Sequence, residues 1–173
     1  KMEKTLKATP VKNQQNTGTC WSFSTTSFVE SELMRIGEGE HDLSEMYTVR
    51  QIYLEKALNY IRRQGKAQFS EGSLSHDVIN IVRKYGAVPE SAFNGLNNGD
   101  KSYNHGELVS VLKAMLDAMR KSSKGKLSKL SPLLRFALLS AWVKSMWLKS
   151  EIWAIDEYKN RLNTKVNTFF MAI

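Results

Sequence analysis

The stretch TCWSFSTTSFVESELMRI, residues 19–36, decides how the first part of this chain folds. It contains neither glycine nor proline, and it lies between Gly18 and Gly37. Glycine is common just beyond a helix, and a long stretch without either breaker favours continuous helix. The stretch therefore predicts one uninterrupted helix between the two glycines, with Cys20 in its first turn.

Two further helices are predicted downstream. One is expected to start near Ser44, which can cap a helix, and to stop at Gly65. The next is expected to be capped by Ser73 or Ser75 and to end at Gly86. Both segments carry apolar residues at helical spacing, so both helices are expected to face a common core.

A fourth helix is predicted over about residues 107–120, and residues 89–100 are predicted to form a loop from their glycine, asparagine and proline content. No strand pattern competes over the first 120 residues, so the fold is predicted to be mainly α. The apolar stripe expected on the fourth helix is Leu108, Val111, Leu112, Met115 and Met119.

Composition indicates an ordinary globular chain. Its 173 residues are 42% hydrophobic, which is enough to build a core. One cysteine cannot form an internal disulfide, so a reducing compartment is permitted. We expect a cytoplasmic protein, with a periplasmic or secreted protein whose leader has been removed as the alternative. No apolar run approaches the length of a membrane span, so no span is predicted.

Positive charge is concentrated in one part of the chain. Eight basic residues and no acidic ones lie between Arg120 and Lys149, which equals the whole formal net charge of +8. We interpret residues 120–132 as a solvated basic linker, with a site for nucleic acid or an anionic surface as the alternative. Residues 133–173 form a tail that is rich in tryptophan and helix formers but has no clear amphipathic face.

Cys20 is the residue with the clearest chemical potential. A cysteine attacks as its thiolate, and the first turn of a helix favours negative charge. Acyl chemistry also needs donors for the developing oxyanion, which the Cys20 backbone N–H and the Gln14 side chain can supply because Gly18 lets the chain turn between them. The alternative is that Cys20 is a small buried hydrophobe.

Three motifs carry a family resemblance. The segment TPVKNQQNTGTCWSFS, residues 9–24, resembles the nucleophile segment of papain-like cysteine peptidases, and LSEMYTVRQ, residues 43–51, is similar to their second-helix motif. The segment SEGSLSHDVINIVRKYGAVPESAF, residues 70–93, resembles the bleomycin hydrolase and aminopeptidase C branch. We therefore divide the chain into a papain-like helical subdomain (1–119), the basic linker (120–132) and the tail (133–173).

The resemblance implies both a fold and a site. It implies the helical half of a papain-like α+β fold, without the β-barrel half. Cys20 would be the nucleophile, Gln14 the side chain of the oxyanion hole, and Trp21 a packing neighbour. Gly72 and Ser73 would bind the substrate backbone, although Ser73 replaces a glycine of the family pattern. The implied partners are a peptide substrate and either a second copy of the chain or a missing second half.

The histidines do not complete this pattern. Papain-like enzymes place His and Asn about 130–150 residues after the cysteine, and no histidine follows His105 here. We predict surface or capping roles for His41, His76 and His105. The histidines and the cysteine are not spaced as in known metal-binding motifs, so no metal and no cofactor are predicted.

Three functional interpretations follow. The first is a cysteine peptidase of aminopeptidase type, represented by its nucleophile half and inactive alone. The second is a catalytically dead module that binds a partner, and the third is a basic module that binds nucleic acid. The pattern leaves open whether this chain is itself an enzyme.

Overall fold

The computed structural model describes residues 6–96 and 101–122, with side-chain environments up to Lys121. The predicted tail at 133–173 lies outside the described residues, as does the basic linker after residue 122. The proposed division into three segments therefore stays a prediction.

Four helices form the described part of the chain. They are α1 (Cys20–Arg35), α2 (Glu45–Arg62), α3 (Ser75–Tyr85) and α4 (His105–Ser122). Within the described ranges, β-type backbone pairing is limited to two isolated bridges, and these residues form no sheet. The prediction of a mainly α fold is confirmed, and the arrangement is consistent with the helical half of a papain-like fold.

The ends of α1 agree with the expected glycine boundaries. The Thr19 carbonyl accepts the Ser22 N–H at 2.9 Å, which starts the helix directly after Gly18. At the other end Gly37 adopts φ +87° and donates its N–H to the Met34 carbonyl at 3.1 Å. A positive φ favours glycine, so this residue ends the helix with little strain.

The boundaries of α2 are confirmed in the same way. Ser44 is the N-cap, and its Oγ accepts the Tyr47 N–H at 3.1 Å. Gly65, at φ +80°, donates its N–H to the Tyr60 carbonyl at 2.9 Å and closes the last turn.

The predicted cap of α3 is wrong, although its end at Gly86 is confirmed. Leu74 occupies the N-cap position, while Ser75 is already the first helical residue. The capping group is Asp77, whose carboxylate accepts the Leu74 N–H at 3.1 Å and also the Ser73 hydroxyl. A carboxylate in the first turn satisfies an unpaired N–H and complements the helix dipole, so no serine is needed at the cap.

The predicted stripe on α4 is only partly correct. The helix begins at His105, two residues before the predicted start, and its most buried positions are Leu112 and Leu116, each 1% exposed. Val111 is 51% exposed. The contact with α2 therefore lies along Leu108, Leu112 and Leu116, which are spaced at one face of the helix.

Two clusters of buried side chains hold the helices together. The larger joins α1, α2 and α3 around Leu33, Met46 and Val49, and includes Trp21, which confirms that Trp21 is a packing residue. The smaller joins α2 to α4 around Ala57 and Leu116. Among residues 6–96 and 101–122, no helix is both long and apolar enough to cross a membrane.

Candidate active site

Cys20 opens the candidate site. It is the first residue of α1, its thiol is free, and its side chain is exposed. The start of a long helix presents unpaired backbone N–H groups and the positive end of the helix dipole. The structure therefore places the one thiol of the chain at the surface, which is where the nucleophile interpretation requires it and where a buried hydrophobe would not be.

A groove of about 640 Å³ lies beside Cys20, and we call it the thiol groove. One wall is the irregular segment 9–14, and the other is the face of α1 that carries Phe23, Ser24 and Ser27. Two glutamates, Glu30 of α1 and Glu45 of α2, also line it. The groove is thus built from three parts of the chain that converge on the start of α1.

Gln14 lines the same groove as Cys20. Its side-chain Nε2 donates to the Thr17 carbonyl at 2.7 Å, and the Thr17 hydroxyl donates back to the Gln14 carbonyl at 2.9 Å. An amide nitrogen carries two N–H groups, so one remains for a ligand after this bond. The two predicted catalytic residues therefore share one groove, while their chemical roles stay predictions.

Gly72 and Ser73 lie in a loop that is tied to the start of α1. This loop, residues 70–73, is called the latch loop. The Gly18 N–H donates to the Glu71 carboxylate at 2.6 Å, and the Trp21 indole N–H donates to the Glu71 carbonyl at 3.1 Å. Neither Gly72 nor Ser73 lines the thiol groove, although their loop contacts the residues that flank Cys20.

The wall of the thiol groove is held by charge. Lys12 Nζ lies 2.6 Å from Asp42 Oδ1 and 3.0 Å from Glu45 Oε1. Burial lowers the pKa of Lys12, but its hydrogen bonds to the two carboxylates outweigh burial and hold the pKa above its usual value. In addition, Glu30 accepts the Thr9 hydroxyl at 2.6 Å and the Leu43 N–H at 2.7 Å. The segment that carries Gln14 is therefore fastened to α1 and α2.

These wall residues were not predicted from the sequence. Lys12 lies inside the quoted motif at residues 9–24, but its partners are about 30 positions away, and no local pattern identifies them. A buried charge usually has a partner, so the unexpected burial of Glu30 and Glu45 is the signal that would have led to Lys12 and Thr9.

The three histidines lie elsewhere. His41 is half-buried, and its Nε2 lies 3.0 Å from the Glu38 carbonyl. His76 is exposed, and its Nε2 lies 3.3 Å from the Asp77 carboxylate. His105 is only 4% exposed and its Nδ1 lies 3.1 Å from the Tyr53 hydroxyl. Of the predicted surface or capping role, the surface alternative is therefore wrong for this residue. Burial lowers the pKa of His105, which favours the neutral ring. None of the three lines the thiol groove.

The side chains that could ligate a metal are dispersed. Within the part of the chain that the structure describes, no three His, Cys, Asp or Glu side chains form a group that could hold a metal ion. Asp42 and Glu45 both bind the Lys12 ammonium, which lies 2.6 Å and 3.0 Å from their oxygens and so already offsets part of their charge.

Comparison with known proteins agrees with this geometry. No curated protein matches the chain. The family model for papain family cysteine proteases matches residues 1–91, a range that covers Cys20, Gln14, the thiol groove and the latch loop. The match extends over more than half of the 173 residues, and it ends within the loop that follows α3. The chain therefore belongs to the papain family of cysteine proteases.

Proposed function

We propose that this chain carries the nucleophile of a cysteine peptidase of aminopeptidase type, in the bleomycin hydrolase and aminopeptidase C branch. The observation that carries the proposal is the exposed thiol of Cys20 at the first position of α1, in one groove with Gln14. The branch rests on the resemblance of residues 70–93, and the family match supports peptidase chemistry in general.

The proposed reaction uses both residues. The Cys20 thiolate attacks the carbonyl carbon of a peptide, and the carbonyl oxygen becomes an oxyanion held by the Cys20 backbone N–H and the remaining Gln14 side-chain N–H. The carbon–nitrogen bond then breaks, and the amine leaves with a proton while the acyl group stays on sulfur as a thioester. Water hydrolyses the thioester and releases the acid and the thiol.

This sequence of steps needs a group that moves protons. The thiol must lose a proton and the leaving amine must gain one, and histidine usually does both. None of the three histidines lines the thiol groove. Because the members of a catalytic triad act as a unit, a nucleophile without its base keeps little rate enhancement. We therefore propose that the chain alone binds peptides and is acylated slowly, and that turnover requires a second half or a second copy.

The same observation favours a second candidate, which is a module that binds a peptide without cleaving it. The thiol groove would then be used for binding alone. The nucleic-acid interpretation depends on the basic residues between 120 and 149, most of which lie outside the described residues. Within the described part, Arg120 Nε already lies 3.7 Å from Asp117 Oδ1. Retention on DNA that falls with salt would be the mark of this third interpretation.

The test compares labelling with turnover. A peptidyl chloromethyl ketone and iodoacetamide are reacted separately with the chain, and a fluorogenic aminoacyl substrate is assayed beside them. We expect Cys20 to favour the peptidyl label over iodoacetamide about 10-fold more than a free thiol such as glutathione does, because the groove orients the electrophile of the peptidyl label. We expect no turnover of the substrate.

The matched controls are Cys20→Ser and Gln14→Ala. The first should abolish labelling, and the second should slow the peptidyl label without changing the iodoacetamide rate. Turnover by the chain alone would contradict the proposed inactivity and would require a base outside the described residues. A label preference of Cys20 equal to that of glutathione would contradict a peptide-binding groove.

A further inference from the structure

Glu71 is the residue through which the latch loop contacts the start of α1. Its carboxylate Oε2 accepts the Gly18 N–H at 2.6 Å, and its backbone carbonyl accepts the Trp21 indole N–H at 3.1 Å. Gly18 and Trp21 lie on either side of Cys20 in the sequence. One residue of the latch loop therefore fastens the turn before the thiol and the first turn after it.

The contact with Gly18 is close as well as polar. A Cβ atom on Gly18 would lie 3.1 Å from Glu71 Cβ, which is tighter than ordinary van der Waals contact. A hydrogen bond to an ionised carboxylate is about twice as strong as one between neutral groups. Since the chain has a single cysteine, a disulfide cannot provide this connection, and the loop is held by noncovalent contacts.

Lys56 of α2 fixes the rest of the latch loop. Its ammonium donates to the Ser70 carbonyl at 2.8 Å and also to the Gly72 carbonyl. The carbonyls of residues 70, 71 and 72 are thus all bound by protein donors. By contrast, the backbone N–H and carbonyl of Ser73 have no hydrogen-bond partner within residues 6–96 and 101–122. An extended peptide pairs through such free backbone groups.

We propose that Glu71 is a positioning residue that sets the distance between the Cys20 thiol and the peptide-binding backbone at Ser73. This inference rests on the proposed peptidase function of Cys20. Neither Glu71 bond involves Cys20 itself, so Glu71 acts through its neighbours. Without the carboxylate, the latch loop keeps the Lys56 and Trp21 bonds but loses its connection to the Gly18 turn, and the two parts of the site can shift relative to each other.

The first test separates positioning from thiol reactivity. The variants are Glu71→Ala, Glu71→Gln and the control Glu40→Ala, which removes an exposed loop carboxylate. For each, the rate of Cys20 modification by the peptidyl chloromethyl ketone is divided by the rate with iodoacetamide. We expect this ratio to fall about 10-fold in Glu71→Ala, because misplacement by about an ångström can cost that much or more. Glu71→Gln should keep most of the ratio, since its amide oxygen still accepts a hydrogen bond, and Glu40→Ala should keep all of it.

The second test does not depend on any peptidase chemistry. Backbone hydrogen exchange is followed by mass spectrometry in peptides covering residues 13–21 and 69–76 of the full chain. We expect faster exchange in both peptides for Glu71→Ala, and exchange close to that of the original chain for Glu71→Gln, because opening a local contact exposes its amides. An unchanged exchange pattern in Glu71→Ala would contradict the proposal that the Glu71 carboxylate connects the latch loop to the Gly18 turn.

The two tests also distinguish the failure of this inference from that of the proposed function. If the original chain shows no preference for the peptidyl label, the peptidase proposal fails, and a positioning role in that reaction fails with it. If the original chain prefers the peptidyl label and Glu71→Ala keeps the same ratio, the peptidase proposal stands and the positioning role is overturned.

Discussion

Glu90 follows α3 in the chain and lies half-buried near three other charged groups. Its pKa is raised to about 7, mainly by burial and then by the negative charges of Glu45 and Asp42, while the positive charge of Lys12 and a hydrogen bond with Ser44 oppose the rise. Its Oε2 atom is buried without a hydrogen-bond partner among the described residues. The folded protein therefore holds a proton on Glu90 at a pH where an exposed glutamate has lost it.

The raised pKa predicts a specific pH dependence of stability. Between the ordinary glutamate pKa of 4.5 and about 7, the folded state binds a proton that the unfolded state has released. Stability should therefore fall as the pH rises through this window. After a reduction for solvent screening at this half-buried site, we expect a loss of about 1–2 kcal/mol. Urea unfolding at several pH values across the window measures it.

The matched variant for this prediction is Glu90→Gln, which mimics the protonated side chain. It should match the original chain at the acidic end of the window and exceed it in stability at the alkaline end. A variant with the same pH dependence as the original chain would show that another group is responsible.

At the residue scale, the sequence predicts the position of Cys20 at the start of α1, but it misses the distant groups that contact the candidate site. Gly18 and Gly37 flank α1, and their positions are enough to predict that Cys20 lies in its first turn. Glu71, by contrast, acts on Gly18 from 53 positions away. Such contacts depend on how the helices pack, which no local spacing encodes.

The cap of α3 provides a prediction at the scale of a single element. Replacing Asp77 by Ala should destabilise the protein by about 1 kcal/mol, because the Leu74 N–H then loses its acceptor. Ser75→Ala should change stability by less than about 0.5 kcal/mol, since Ser75 is exposed and does not cap the helix. Denaturant unfolding of both variants decides between the two capping residues. A larger loss for Ser75→Ala would show that Ser75, and not Asp77, caps the helix.

The buried face of α4 provides a second prediction at this scale. Leu116→Ala should cost about 2–5 kcal/mol, because the side chain is 1% exposed in the cluster between α2 and α4. Val111→Ala, at an exposed position of the same helix, should cost less than about 0.5 kcal/mol. Thermal and urea unfolding measure both. Similar losses for the two variants would contradict the observed orientation of α4, in which Leu116 is buried and Val111 is exposed.

The elements show which features a local pattern can determine. The ends of α1 and α2 were predictable because glycines at positive φ mark them chemically. The α4 stripe was only partly predictable, since adjacent stripes on one helix share most of their residues. The choice between Val111 and Leu116 depends on where α2 lies, and the chain separates the two helices by 42 positions.

At the scale of the whole molecule, the thiol groove depends on a connection between distant segments. Lys12 joins the segment before α1 to Asp42 in the loop before α2 and to Glu45 within α2. Glu45 has a side chain only 5% exposed, and burial raises its pKa, while the hydrogen bond and charge of Lys12 offset part of this rise. The charged form of Glu45 therefore depends on this partner. The predicted helices and the predicted Cys20–Gln14 pair are both local, whereas this connection is what makes them one site.

Lys12→Met keeps most of the side-chain length but removes the charge, so it tests this connection. We expect a loss of about 2–3 kcal/mol, because a buried carboxylate is left without its cation and the pair is partly open to solvent. Adding Glu45→Gln to this variant should restore most of the loss, since the buried Glu45 charge that Lys12 pairs with is then removed as well. Lys113→Met is the matched control. Its pair with Asp117 is exposed, and we expect stability close to that of the original chain.

The measurement is urea unfolding of Lys12→Met, of Lys113→Met and of the double variant Lys12→Met with Glu45→Gln. The rate of Cys20 labelling is followed in the same proteins. Because Lys12 fastens the segment that carries Gln14, Lys12→Met should slow the peptidyl label more than iodoacetamide. Equal stability of Lys12→Met and the original chain would mean that Thr9 and Glu30 hold the segment alone, since the Thr9 hydroxyl bond to Glu30 is independent of Lys12. A stable variant with an altered label ratio would instead assign Lys12 to the shape of the groove and not to the stability of the fold.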